Sequence, residues 1–260
     1  MSRFAVWGAG VWGVGLQGIS ELKATLDGAD RDTETFAAPK PEAIPARERR
    51  RAGLLINLAV QVAHEACENA GVAKNTLPSV FASALSDTAV TDYMCRKLAQ
   101  PEKMLSPTKF HNSVHNAPSG YWTISSENRA PSSYVAGFEH TVGSGLMEAI
   151  SQSQAADSPV LLVCYDIAVS APFDELLNIT ESLAVSCIVG PPRDGSPSFT
   201  TQLTKRQPAT KPVHPFLAAR AQANPAGELL QLIESTLVPN AHARLSLPVS
   251  NGTSLELEAT

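Results

Sequence analysis

Three of the chain's six histidines fall between Phe110 and Leu146, and one of them, His140, directly follows Glu139. A short apolar segment, Tyr134 to Phe138, runs into that pair and then into the Gly143-Ser144-Gly145 run that opens a predicted helix. A strand turning sharply into a helix through small residues lifts one side chain into a cleft, as in nucleophile elbows. A group that forms transferable acyl esters would be Ser, Cys or Thr. Here the raised position holds Glu139 or His140. A helix N-terminus stabilises a carboxylate as it stabilises a thiolate, but a carboxylate offers no thioester.

Two further constellations could carry chemistry. His111 and His115 stand four residues apart, which on a helix puts both imidazoles on one face, as in a zinc site. No Glu lies between them and the next acid along the chain, Glu127, is remote, so the expectation is no metal, with both rings bonded to loop backbone beside Asn112 and Asn116. Near the start, Gly8, Gly10 and Gly13 form a literal G-x-G-x-x-G after an apolar segment, Arg3 to Trp7, which is the dinucleotide fingerprint. A cofactor site then needs a second parallel strand ending in an acid. A short helix and a polar, Pro-containing segment follow instead, so a buried strand with a tight glycine turn competes with a nucleotide-binding oxidoreductase.

The elements that must hold these residues follow from periodicity. Ile19 to Leu26 reads as a short helix. From Arg47 to Ala70 apolar residues recur at helical spacing, and Gly71 ends the run. Arg47, Arg49, Arg50 and Arg51 lead that helix as a solvated start or as a docking patch for an acidic partner. Leu77 to Leu85 reads as a strand and Thr91 to Leu98 as a helix, with Pro101 and Pro107 bracketing the next loop. Gly120 before Tyr121 and Trp122 suggests a close helix contact beside a bulky anchor. Tyr134 to Phe138, a helix over Thr141 to Gln154 and a strand over Pro159 to Cys164 form a β-α-β unit. Leu183 to Val189 is a buried strand, the Pro-rich stretch from Pro191 to Pro215 an edge strand between loops, and Gly227 to Leu237 a helix. The Asn251-Gly252 turn between alternating segments signals a hairpin.

Composition narrows the function class. With 43% hydrophobic and 17% charged residues in 260, the chain can bury a two-sided sheet. Its net charge of −5 gives no basic field for nucleic acid. The four cysteines lack a C-x-x-C pair and read as buried free thiols. No signal peptide or membrane span is evident, which makes cytoplasmic the default.

The order of these features resembles β-ketoacyl synthases of the thiolase superfamily. The likeness lies in FAVWGAGVWGVGLQGISELKATLDG, in RERRRAGLLINLAVQVAHEACENAG, in the N-x-x-x-G of Asn116 to Gly120 and in the strand, elbow, helix and strand around Glu139, over about the first 190 residues. LSPTKFHNSVHNAPSGYW is similar to chain-length-factor-like subunits of the aryl polyene or xanthomonadin type. The resemblance implies a truncated thiolase-like α/β fold: a mixed, largely parallel sheet with helices on both faces, residues 1–190 forming the ketosynthase-like half and 191–260 a reduced C-terminal part of the same domain. It places Glu139 where the family keeps its acyl-accepting cysteine, and it carries no catalytic role onto His214 or His242.

A non-catalytic partner of an active ketosynthase follows, a heterodimer subunit that shapes the acyl tunnel and needs no cofactor. The resemblance puts Ser133, Tyr134, Phe138, Glu139 and His140, with His111, Asn112, His115, Asn116 and Gly120, at the partner interface. Phe138, Tyr121 and Trp122 are the bulky candidates for the tunnel's end, and the arginines at 47 to 51 are candidates for carrier-protein docking, direct or through the ketosynthase. A malonyl decarboxylase using Glu139 is the alternative that restores chemistry.

Overall fold

The computed structural model describes residues 2–30 and 32–260. β1 (Ser2–Gly13) passes through all three fingerprint glycines without a turn. Gly8 and Gly10 lie opposite Ile188 and Ser186 of the neighbouring strand, and the Val11 amide donates to Glu65 at 3.0 Å. The expected glycine turn falls after the fingerprint, at Val14-Gly15, with Gly15 left-handed at φ 66°, and the strand-to-helix phosphate cradle of the oxidoreductase reading is not formed by Gly8 to Gly13. The glycines serve close packing instead: a Cβ on Gly10 would lie 2.4 Å from the Val62 carbonyl oxygen and one on Gly8 2.5 Å from the Ala70 amide.

β2 (Leu16–Gln17) folds back on β1, and α1 (Ile19–Leu26) follows with the expected bounds. The expected single helix from Arg47 is two pieces, α2 (Ala46–Arg49) and α3 (Leu54–Ala70), separated by a segment that ends in extended Gly53. Glycine is a poor helix former, so the break falls where it stands. Gly71 ends α3 in the left-handed conformation, φ 65°. Next come β3 (Ser79–Ala82), α4 (Thr88–Leu98) capped by Asp87, α5 (Pro107–Asn112) capped by Ser106, α6 (Ala117–Ser126) and β4 (Ser132–Val135). A 3₁₀ turn, Phe138–His140, leads into α7 (Thr141–Ala156), and then come β5 (Val160–Asp166), β6 (Leu183–Gly190) and β7 (Ser198–Lys205). α8 (Pro215–Ala223), a 3₁₀ turn over Pro225–Leu229, α9 (Leu230–Leu237) and the hairpin of β8 (Arg244–Pro248) and β9 (Thr253–Ala259) complete the chain.

The strands form one sheet in the order β4-β3-β5-β6-β1-β7-β9-β8, with β2 on β1. It is mixed, but the parallel pairings are confined to β3 with β4 and β5, so the sheet is not largely parallel. Parallel neighbours need a crossover, and beyond β5 the described connection to β6 contains no helix, so the chain returns antiparallel. β7 lies between β1 and β9 and is not an edge strand. Its polar, half-buried alternation and its Pro-rich flanks imitate an edge.

Alternate residues of the central strands face opposite layers. Phe81, Leu161, Val163 and Ile188 pack with α3 and α6 on one side. Val80, Ala82, Leu162 and Cys187 pack with α7 and α9 on the other. Helices thus cover both faces. Cys67, Cys164 and Cys187 are buried as expected, whereas Cys95 is exposed because α4 buries only Thr88. Among the described residues no helix is long and apolar enough to cross a membrane.

Candidate functional site: the elbow before the longest crossover helix

β4 lies at one end of the sheet and pairs only with β3 among the described residues. Its alternation splits the side chains between layers. Ser133 accepts a hydrogen bond from Gln152 Nε2 on α7 at 2.8 Å, while the Tyr134 ring meets His115, with centroids 6.3 Å apart.

The predicted elbow is present. After Val135 the chain turns through Gly137 and the 3₁₀ turn into α7. The residue in the left-handed region is Phe138, φ 50°. That conformation is unusual for a bulky side chain and costs about 1–3 kcal/mol, a kind of strain that clusters at functional sites. Phe138 projects to the surface, 56% exposed, with Glu139 and half-buried His140 beside it. The bend therefore presents a phenyl ring and a carboxylate.

No thiol or hydroxyl stands at the apex of the bend, whose residues 136–140 are Ala, Gly, Phe, Glu and His. Thr141, the nearest hydroxyl, is 2% exposed; it accepts from the Gly137 amide at 2.9 Å and donates to the Phe138 carbonyl at 2.8 Å, which locks the turn. Ser144 donates to the Val249 carbonyl. Cys164 sits in β5, and burial raises its thiol well above the usual range; burial pushes Cys67 and Cys187 up to about 12. None resembles an activated thiolate.

The surroundings of the elbow come from the C-terminal part. Asn251 Oδ1 lies 3.0 Å from His140 Nε2, and Arg206 Nη1 lies 3.2 Å from His140 Nδ1 while donating to the Ser250 carbonyl at 2.8 Å. Glu139 Oε1 is 3.5 Å from His140 Nε2. A Cβ on Gly143 would meet the Pro248 carbonyl oxygen at 2.2 Å, so that glycine lets β8 close onto α7. Arg206 and Asn251 were not anticipated from sequence; the only signal was the Asn-Gly turn, which fixes the hairpin but not what the hairpin touches.

The other expected site residues divide into two groups. Asn112 Nδ2 donates to the Arg51 carbonyl at 2.8 Å, and the His111 ring meets Tyr121, which joins the 111–116 segment to the arginine-rich break. Asn116, Gly120, Arg47, Arg50 and Arg51 are exposed, while Arg49 is half-buried and reaches the Pro41 carbonyl. Tyr121 and Trp122 are 2% and 0% exposed and pack into the core against α3, and Phe138 alone of the three aromatics reaches the surface. Gly120 makes no close contact: a Cβ there would meet nothing within 4 Å. The His111 and His115 rings turn to different tyrosines, and no group of three or more His, Cys, Asp or Glu side chains among the described residues could hold a metal. His214 and His242 belong to a separate knot, in which Glu234 accepts from the His214 amide and pairs with His242 Nε2 at 2.8 Å.

No curated protein sequence matches the chain. Among solved structures, a chain of a ketosynthase (ApeO) in complex with its chain length factor (ApeC) from Xenorhabdus doucetiae is 18% identical, with 99% of this chain and 100% of that one covered at a TM-score of 0.74. A chain of the ishigamide ketosynthase/chain length factor is 14% identical, with 99% of each chain covered at 0.71. A β-ketoacyl synthase from Burkholderia phymatum is 12% identical over the full length of both chains at 0.62. These likenesses establish a shared fold. Residues 26–248 match the family described as "Beta-ketoacyl synthase, N-terminal domain", and the chain therefore belongs to the β-ketoacyl synthase family.

Proposed function

We propose that the protein is a non-catalytic, chain-length-factor-like partner of an active ketosynthase, and that it helps to form the wall of the partner's acyl tunnel. The observation that carries this reading is the elbow itself: the bend, its strained residue and its helix are built, yet the raised side chains are Phe138 and Glu139. Strain kept without a nucleophile is explained if its purpose is to aim a side chain. The solved complexes of similar fold include a ketosynthase with its chain length factor and an acyl-carrier protein with its ketosynthase. In this reading the open edge of β4 and the 111–116 segment meet the ketosynthase, since an unpaired strand edge is a template for pairing. Phe138 then projects toward the growing chain and limits its length, because an extra methylene pressed against a fixed ring is disfavoured by about 1–3 kcal/mol. The exposed arginines of the α2 segment remain the candidates for an acyl carrier protein, and the complex would work in the cytoplasm.

The test is product length. Reconstituted with its ketosynthase, the Phe138→Ala protein should give products at least one extension unit longer at a similar rate, and Tyr121→Phe should leave length unchanged. Unchanged length in Phe138→Ala would remove Phe138 from the tunnel. A second reading, decarboxylation of a malonyl thioester with Glu139, draws on the closeness of Glu139, His140 and Arg206. It requires activity that Glu139→Ala abolishes while a partner lacking its nucleophile retains it.

A further inference from the structure

Phe138 carries a bulky side chain at a left-handed φ of 50°, and such a conformation persists only where its surroundings over-determine it. One clamp is local. The Thr141 hydroxyl bridges the Gly137 amide and the Phe138 carbonyl, and the His140 amide donates to the Gly137 carbonyl at 2.9 Å.

The second clamp reaches the bend from the C-terminal part of the chain, through the His140 side chain, which is 14% exposed. Asn251 Oδ1 accepts from His140 Nε2 at 3.0 Å, which leaves Nδ1 of the neutral ring free to accept. Arg206 Nη1, directly after β7, donates to that nitrogen at 3.2 Å. Arg206 is in turn tied to the turn between β8 and β9: its amide donates to the Gly252 carbonyl at 3.0 Å and its Nη1 to the Ser250 carbonyl at 2.8 Å. Among the described residues Arg206 makes no hydrogen bond or ring contact with Phe138, so its route to that residue is the His140 ring. With the ring unpinned, residues 138–140 can relax toward the ordinary negative-φ region, which turns the phenyl group to a new direction.

We propose that Arg206 is a positioning residue of the elbow: acting through His140, it keeps Phe138 left-handed and so fixes where the phenyl ring points. This holds for the chain by itself. The consequence for product length rests on the partner reading above: with Arg206 in place the ring stops a growing chain at one length, and without it the ring samples several positions and the stop blurs.

A double-mutant cycle on the full chain tests the linkage. Phe138→Gly removes the side chain that makes a left-handed residue costly, and the ring is 56% exposed, so little burial is lost. In the wild-type background it should raise the midpoint of urea unfolding; in an Arg206→Ala background, where the bend has already relaxed, the rise should shrink by at least half. Arg206→Lys keeps a donor for Nδ1 and should preserve most of it. No rise in the wild type, equal shifts in all backgrounds, or a rise that lysine fails to preserve would overturn the proposal, because a residue that merely stabilises the hairpin adds its effect independently. In the reconstituted complex, Arg206→Ala should broaden the product lengths at a similar rate and Arg206→Lys should narrow them again. Coupled midpoints with lengths unchanged in both Phe138→Ala and Arg206→Ala would uphold the positioning role and count against the tunnel. Additive midpoints with lengths altered in Phe138→Ala would leave the tunnel standing and remove Arg206 from it.

Discussion

Two glycine clusters meet helices in this molecule, and they do opposite things. Gly8, Gly10 and Gly13 stay inside a strand, where the missing side chains of Gly8 and Gly10 let α3 lie directly on the sheet. Gly137 lies at a bend, and in the helix that follows it Gly143 lets β8 approach α7 while Gly145 lets α7 approach β3 and β5. The N-terminal cluster imitates a ligand loop and is packing; the later one has the spacing of an elbow and forms one. What separates them is the partner of the backbone. The amides of the first cluster are committed to a sheet, whereas the second follows a four-residue strand at the sheet's edge.

Substitutions sharpen that contrast. Gly10→Ala drives a methyl into the Val62 carbonyl at the centre of the α3 contact, and the expected loss, measured by urea unfolding, is on the order of 3 kcal/mol or more. Stability within about 1 kcal/mol of wild type would show that α3 can lift off β1 freely. Gly143→Ala presses on the Pro248 carbonyl instead; a loss of about 2–3 kcal/mol is expected, together with faster amide exchange in β8, the strand it displaces. Exchange unchanged in β8 would contradict the docking role of that glycine.

Glu228, in the 3₁₀ turn after α8, gives a test with a sign. Its folded pKa, about 7, lies above the ordinary value of 4.5, so the folded state holds more protons and wild-type stability falls as pH rises between about 4.5 and 7. Glu228→Gln should therefore stabilise the protein by roughly 3 kcal/mol at pH 8, with the gain vanishing by about pH 4. A pH-independent effect would mean that the carboxyl is not desolvated. The smallest effect is expected at Gly120, in an exposed helical position with open space around it: alanine there should raise stability by about 0.5–1 kcal/mol, and a loss would reveal a contact on that face.

Much of this was legible in the sequence where local physics decides. The bounds of α1, the glycine stop at Gly71 and the Asn-Gly hairpin each rest on a few neighbouring residues. The elbow was legible too, although its strained residue is Phe138 and not the adjacent Glu139, because a one-residue offset cannot be read from apolar periodicity. What escaped depended on distant pairing. A G-x-G-x-x-G reads the same in a turn and in a strand, and only the approach of α3 separates the two. Tyr121 and Trp122 could have faced either way until the burial of α6 against α3 fixed them inward. Arg206, Asn251, Glu228 and the Glu234 knot are joined to their surroundings by contacts remote in sequence, with no spacing to betray them.

The central claim is that the elbow shapes a neighbour's reaction and accepts no acyl group. Intact-mass analysis of the reconstituted complex after incubation with acyl-loaded carrier protein tests it most directly. An acyl adduct on the ketosynthase subunit alone is the predicted result, and a stoichiometric adduct on this chain would contradict it.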